Sequence, residues 1–460
     1  MNDALTLRLP QAEGAQQVTA GASTTPGRLR TLSLLVALGS GLLAALGTAA
    51  VVTTQSTIDG IGQSTVPAII DSQKIHESLA DADRSAANAF LSGGAEAPGP
   101  SQQYAMDMMA AHDGLEQASE ANAVGPRATQ QLRQIMDDVM DYVGLVETAR
   151  AYNRQGFPLG ATYLRAASRL MHRPQDGILA RVDALGTLNS ENLDREGTSI
   201  WLAAATLAVF YLVACVILGL LLYTQGFLRS RFRRRQSPRV LAATILLIFL
   251  ASGLALQAFY TYRNVEDAQL QAFARLQTLW QVRSLAVDAN GNQSLSLIAR
   301  GNGAAFDAAF KAETKQLVDR PLTDQLVDAA ARGDVRFKGL LADEIEMATY
   351  PGEREAAVKA LHAYQQFLQI DATVRDQAAT NHEGAVSLTL GQGPGQLGAA
   401  FADLDRWLNR ALTIDQAKYN EAIAAARPNL VVDAAVLLCA FGIALLVFWG
   451  LAPRIAEYTK

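Results

Sequence analysis

The sequence predicts an all-α membrane protein, with four transmembrane helices and two extracytoplasmic four-helix-bundle, sensor-like domains related as a tandem duplication. Three observations predict it. Four long apolar runs, at residues 31–53, 199–223, 240–260 and 430–451, fall into two pairs. Between the members of each pair lies a long polar segment patterned at helical spacing. A short arginine-rich connection joins the pairs.

Each apolar run is long enough to cross a bilayer, because about 20 residues of helix, rising about 1.5 Å each, span a hydrocarbon core of about 30 Å. Residues 1–30 are rich in Gly, Ser, Thr and Ala and are expected to be a disordered cytoplasmic N-terminus. The first run follows Arg28 and Arg30 and carries small residues near Gly47–Ala50, which would also suit a cleavable leader. Its length exceeds a leader's apolar core, so it reads as an anchor. The connection at 224–239 holds Arg229, Arg231, Arg233, Arg234, Arg235 and Arg239 and no acid, while Arg454 and Lys460 follow the last run. Short basic loops stay cytoplasmic. Both termini and the central loop are therefore expected inside a plasma membrane crossed four times, and residues 54–198 and 261–429 outside. Charge agrees: residues 54–199 hold 19 acids against 11 bases, and 259–429 hold 21 against 17. That acidity argues against a nucleic-acid partner.

The outer segments read as helices. Ile75, Leu79, Ala82, Ala86 and Phe90 step by three and four, as do Leu132, Met136, Val139, Val143 and Val146, with Ile135 and Tyr142 widening that stripe. Ile178, Val182, Leu185 and Leu188 form the next seam. In the second segment the stripes are Phe273-Leu276-Trp280, then Val358-Leu361-Gln365-Leu368-Ala372, then Phe401-Leu404-Leu408-Ala411. Such spacing marks helices packed in bundles, and Pro/Gly turns such as Tyr350-Pro351-Gly352 separate the stripes. Four helices per segment is the expected count. Residues 168–185 align without gaps on 387–404: Ser168 meets Ser387, Met171 meets Leu390, Ile178 meets Leu397, Val182 meets Phe401 and Leu185 meets Leu404. Both stretches are a helix end, a Pro/Gly turn and an apolar seam, which supports duplication.

No motif of catalysis is present. There is no phosphate loop, HExxH or CxxC. Cys215 and Cys439 fall in membrane runs and are expected to pack as small apolar groups. His76, His112, His172, His362 and His382 are scattered over different helices, and the acids of 343–346 and 353–355 read as solvated helix faces. No enzyme activity, metal or cofactor is expected.

One string is distinctive: Asn153-Arg154-Gln155-Gly156-Phe157-Pro158-Leu159-Gly160-Ala161-Thr162-Tyr163-Leu164-Arg165. It resembles the GlnX-type membrane proteins of actinobacteria, which share the four-helix, two-outer-domain plan and the basic inner loop. The resemblance implies two partners: an amino-acid-binding lipoprotein of the glutamine-binding type outside, and a cytoplasmic serine/threonine kinase, protein kinase G, inside. It also implies a role in sensing aspartate or glutamate and adjusting nitrogen and central metabolism.

Physically the string is a helix break, since Pro costs a helix interior about 3 kcal/mol. It is either a structural kink or a docking knob whose Arg154, Tyr163 and Arg165 anchor a partner. The arginine loop meets lipid headgroups, and an acidic kinase surface is a second expectation for it. Three function classes follow: a relay between a binding protein and a kinase, a direct small-ligand sensor, and a non-catalytic transport or scaffold subunit. A homodimer is expected.

Overall fold

The computed structural model describes residues 25–60, 62, 66–93, 98–120, 125–156, 158–232, 237–266, 272–427 and 430–456. The expected disordered N-terminus (all but its last residues), Phe157, Arg233, Arg234 and Arg235 lie outside them. Among the described residues there are helices and no strand. The chain divides into two units, residues 1–58, 197–263 and 426–460 in one, and 59–196 with 264–425 in the other.

The first unit is built from α1 (Thr25–Asp59), the C-terminal part of α6 (Ile178–Phe232), α7 (Pro238–Glu266) and α15 (Leu430–Ala456). Four helical stretches here are long and apolar enough to cross a membrane. Their buried residues recur every seven residues or by alternating steps of four and three: Leu29, Val36 and Leu43 on α1, Phe210, Ala214, Ile217 and Leu221 on α6, Val240, Leu247 and Leu254 on α7, and Val436, Ile443 and Val447 on α15. That period is the seam of a left-handed bundle. Glycine lets the helices close. A Cβ on Gly39 would stand 2.9 Å from Ile217 Cδ1, and one on Gly47 would stand 2.6 Å from Val436 Cγ1. The outward face is apolar as well, with Leu38, Leu212, Phe249, Leu438 and Phe441 exposed. An exposed apolar surface of this extent needs lipid. Tyr211 Oη donates to the Ala251 carbonyl and Gln225 Nε2 to Thr244 Oγ1, so these polar groups are satisfied between helices.

The arginine connection is less of a loop than expected. Arg229 and Arg231 lie in α6, and Arg239 lies in α7, where its Nη1 donates to the Trp449 carbonyl at 3.0 Å. The apolar helices also run past the expected ends of the runs, α1 to Asp59 for example.

The second unit holds both polar segments. The first supplies α2 (Val66–Leu91), α3 (Pro98–Glu120), α4 (Gly125–Arg154), α5 (Leu159–His172) and the start of α6. The second supplies α8 (Ala274–Ala299), α9 (Ala304–Leu317), α10 (Asp324–Ala331), α11 (Leu340–Met347), α12 (Glu353–Ala378), α13 (His382–Leu390) and α14 (Leu397–Ala426). Four helices per segment is too few for the second, whose chain turns at Gly339 and Gly352, both in the positive-φ region that glycine tolerates.

Two separate bundles were expected, whereas the two segments share one unit. The reason lies in α2 and α8, the equivalent first helices of the two segments, which pack on each other. α8 buries residues over most of its surface, including Arg283, Asn290, Gln293 and Ser294, and keeps only a narrow exposed edge at Gln277 and Gln281. A helix of that kind belongs to a core.

The internal match is reflected in burial over its second half, while Ser168 and Met171 are buried and the aligned Ser387 is exposed and Leu390 half-buried. Ile178 and Leu397 each begin a helix and are fully buried, and Val182, Leu185, Phe401 and Leu404 are buried at the aligned positions. The seams of α2 and α14 fall as expected. On α4 the seam is displaced: Ile135 and Tyr142 are its fully buried members, while Met136, Val139 and Val143 are only half-buried. A hydrogen bond from Tyr142 Oη to Asp83 turns that face inward.

Candidate functional site

The second unit contains a cleft of about 890 Å³ lined by α2, α3, α8, the α13–α14 turn and the start of α14. At its floor is Arg283, carried on α8 and only 8% exposed. Its guanidinium meets three carboxylates: Glu77 Oε2 at 2.7 Å, Asp81 Oδ2 at 3.0 Å and Asp405 Oδ1 at 2.7 Å. Two of these come from the first segment and one from the second. Burial opposes the charge on Arg283, but the three carboxylates outweigh it and hold the group firmly protonated. Glu77 is raised by burial, an effect that Arg283 only partly offsets.

Arg84 forms a second layer. Its Nη2 pairs with Asp81 at 3.1 Å and its guanidinium lies 4.9 Å from the centre of the Phe401 ring. Asp107 accepts from Ser85 Oγ at 2.9 Å and from Gln103 Nε2 at 2.7 Å. Burial and the charge of Asp81 still leave it above the usual carboxylate range. Asn290 lines the cleft, is 4% exposed, and has no hydrogen-bond partner among the described residues. The cleft is thus a polar chamber with charges of both signs in fixed places and a buried amide, Asn290, unengaged. A small polar molecule could replace water there.

Behind the cleft runs a buried network. Asp83, 3% exposed, accepts from Tyr142 Oη at 3.0 Å and Ser168 Oγ at 2.8 Å, and is 3.1 Å from His172 Nε2. The other ring nitrogen of His172 lies 3.8 Å from Asp288 of the second segment. His76 pairs through Nδ1 with Asp183 at 2.8 Å and through Nε2 with Ser284 at 3.1 Å. Partial burial opposes the charge on His172, but the Asp83 hydrogen bond and the nearby carboxylates of Asp288 and Glu313 raise it to about 9. Two histidines read from sequence as scattered therefore converge. Sequence reading also missed Arg283 and Asp83. Their partners lie far off in the chain, and the only local sign was a charge beside an apolar seam.

The Asn153–Arg165 string sits at the opposite kind of place, an exposed hairpin between α4 and α5. α4 stops at Arg154, Gly156 takes φ +73°, and Pro158 precedes α5. Asn153 Nδ2 donates to the Phe90 carbonyl at 3.0 Å, which fixes the turn against α2. Gly160 lies inside α5 instead of in the break, because a Cβ there would stand 2.8 Å from the Ala149 carbonyl oxygen. Tyr163 stacks on Tyr152 with centroids 5.5 Å apart. Arg165 folds back on its own helix, onto the Ala161 carbonyl and Thr162 Oγ1. Arg154, Pro158 and Leu159 are exposed at the tip. The string is a structural hairpin with an exposed apolar and basic end.

Residues 57–198, under a third of the chain, match the model of a family described as an actinobacterial sensor domain. The match covers the first polar segment, including Glu77, Asp81, Asp83 and the hairpin. It supports a signal-sensing role of actinobacterial type for a chain whose four apolar helices mark it as a membrane protein. No curated protein and no solved structure matches the chain.

Proposed function

We propose that this protein is a non-catalytic signal relay of the plasma membrane. The chain crosses four times, with both termini and the Arg229–Arg239 region inside and the helical unit of both polar segments outside. Its input is an amino-acid-binding lipoprotein of the aspartate/glutamate type, docking on the hairpin tip at Arg154, Pro158 and Leu159. Its output is a cytoplasmic serine/threonine kinase controlling nitrogen and central metabolism, met at the basic region.

The observation that carries the relay is α6, one helix of 55 residues from Ile178 to Phe232. It begins within the sensor-like match and ends among the inner arginines, so the matched segment and the basic region belong to one continuous helix, the kind of element that a relay uses. The lipoprotein and kinase rest on the resemblance, and the exposed basic tip is compatible with them.

A second reading, direct sensing of a small polar ligand, is favoured by the cleft around Arg283 and the unengaged Asn290. Calorimetry on the full chain in nanodiscs separates the two. The relay reading expects no heat with free aspartate, glutamate or glutamine, and binding of the loaded lipoprotein that Arg154→Ala weakens. Heat from the free amino acid, abolished by Asn290→Leu, moves the input to the cleft. Silence in both titrations refutes both inputs.

A further inference from the structure

Apart from the cleft-lining residues, α11, α12 and α14 bring three carboxylates together: Glu344, Glu353 and Asp415. Each is fully buried. Glu344 and Glu353 belong to the acids that the sequence assigns to solvated faces, and that assignment is wrong for these two. One oxygen from each of the three lies within 4.8 Å of the others. Five of their six oxygens, both of Glu344, both of Asp415 and Oε1 of Glu353, have no hydrogen-bond partner. The sixth, Glu353 Oε2, accepts from the backbone of Thr349 at 2.8 Å and Tyr350 at 2.7 Å, which pins the carboxylate at the start of α12. The nearest cation, Arg275, stands 3.7 Å from that same oxygen, too far for a hydrogen bond, with its guanidinium over the Tyr350 ring at 4.6 Å.

Buried carboxylates are ordinarily paired or hydrogen-bonded, and orphan oxygens in such number call for a missing partner. The charges state what it is. Three carboxylates and one guanidinium leave two negative charges uncompensated, and a divalent cation cancels them.

We propose that Glu344, Glu353 and Asp415 form a structural binding site for a divalent cation, and that the ion is calcium. An all-carboxylate set selects hard cations and not thiophilic or imidazole-seeking ones. Magnesium keeps several of its waters, whereas the groups gathered here are buried carboxylates throughout. Calcium accepts bidentate carboxylates at about 2.3–2.6 Å, so its ligand oxygens lie within about 5 Å of one another, a limit that one oxygen from each of the three meets here. The ion ties α11 and the Ala348–Gly352 turn to α14.

The test is equilibrium dialysis of the purified full chain, stripped with chelator, against radioactive calcium at neutral pH with excess magnesium. One calcium per chain is expected for the wild type. Binding is expected to weaken at least about tenfold in Glu344→Gln and Asp415→Asn, which remove a ligand charge. Both are isosteric and relieve surplus buried charge, so they fold without the ion. Asp343→Asn and Glu346→Gln, on the exposed face of the same helix, keep full binding. A wild-type chain that takes up no calcium at millimolar concentration overturns the proposal, and so do Glu344→Gln and Asp415→Asn variants that bind as the wild type does.

Discussion

Replacing Arg283 by Met tests whether the two polar segments are held as one unit. The substitution keeps most of the side chain's length and apolar stem while removing the only guanidinium that contacts Glu77, Asp81 and Asp405 together. Those three carboxylates are then left facing one another in a largely buried place. Breaking a buried ion pair by removing one partner costs about 3–5 kcal/mol, because the other charge stays desolvated. Here three charges lose the partner, and Arg84 compensates only Asp81, so the upper half of that range applies. For a unit of this size about 2 °C of melting midpoint accompanies each kcal/mol, which places the loss at roughly 8–10 °C. Far-ultraviolet circular dichroism of the full chain in nanodiscs reads it.

The pH dependence sharpens the test. Without Arg283, Glu77, which burial already raises above the usual carboxylate range, loses the charge that partly offsets that rise. A carboxylate raised in this way destabilises fully above its folded pKa, and the penalty fades as pH falls toward the unfolded value. The gap between wild type and Arg283→Met is therefore expected to be largest near neutrality and to narrow in mild acid. Arg283→Lys falls between, because an ammonium cannot serve three carboxylates with the guanidinium's spread of donors. A midpoint within about 2 °C of wild type, or a gap that does not change with pH, would refute the account of Arg283 as the charge that joins the segments.

Three further outcomes are expected. Gly160→Ala pushes a methyl against the Ala149 carbonyl oxygen and Asn153 nitrogen, which are backbone and cannot swing aside; a loss of about 1–3 kcal/mol in chemical denaturation is expected, against no loss for Gly144→Ala, where the space is open. His172, raised from 6.5 to about 9, contributes stability that is fully present below its unfolded pKa and is lost as pH rises through about 9. Allowing for its partial exposure this is about 1–2 kcal/mol, so His172→Gln is less stable than wild type at pH 6 and nearly equal above pH 9.5, and parallel pH–stability curves would contradict it. Reporter fusions at Gly99 and Gly393 are expected to be active only with an exported-type reporter and one at Ser230 only with a cytoplasmic one, the reverse pattern overturning the topology.

What the sequence reveals and conceals divides along a physical line. Apolar periodicity is local, because residues three and four apart share a helix face whatever lies beyond it. The membrane helices, the seams of α2 and α14 and the paired helix–turn–helix stretches were therefore legible, the last because Ile178 and Leu397 start their helices at matching places. Charge is not local in this way. An acid on a helix reads as solvated until its partner is known, and the partners of Arg283 lie some two hundred residues before it and more than a hundred after. One sign was nonetheless available. Leu404, Leu408 and Ala411 continue at the same spacing to Asp415 and Tyr419, so the period itself puts a carboxylate in the seam, where it is fully buried. Asp83 follows Leu79 by four and is buried for the same reason. A charged residue that keeps step with an apolar stripe cannot be solvated unless the stripe is also exposed. It then needs a buried counter-charge, a proton or an ion. Asp83 is met by Tyr142, Ser168 and His172. Asp415 has no such donor, and its two orphan oxygens beside Glu344 and Glu353 are the reason a cation is the partner to look for.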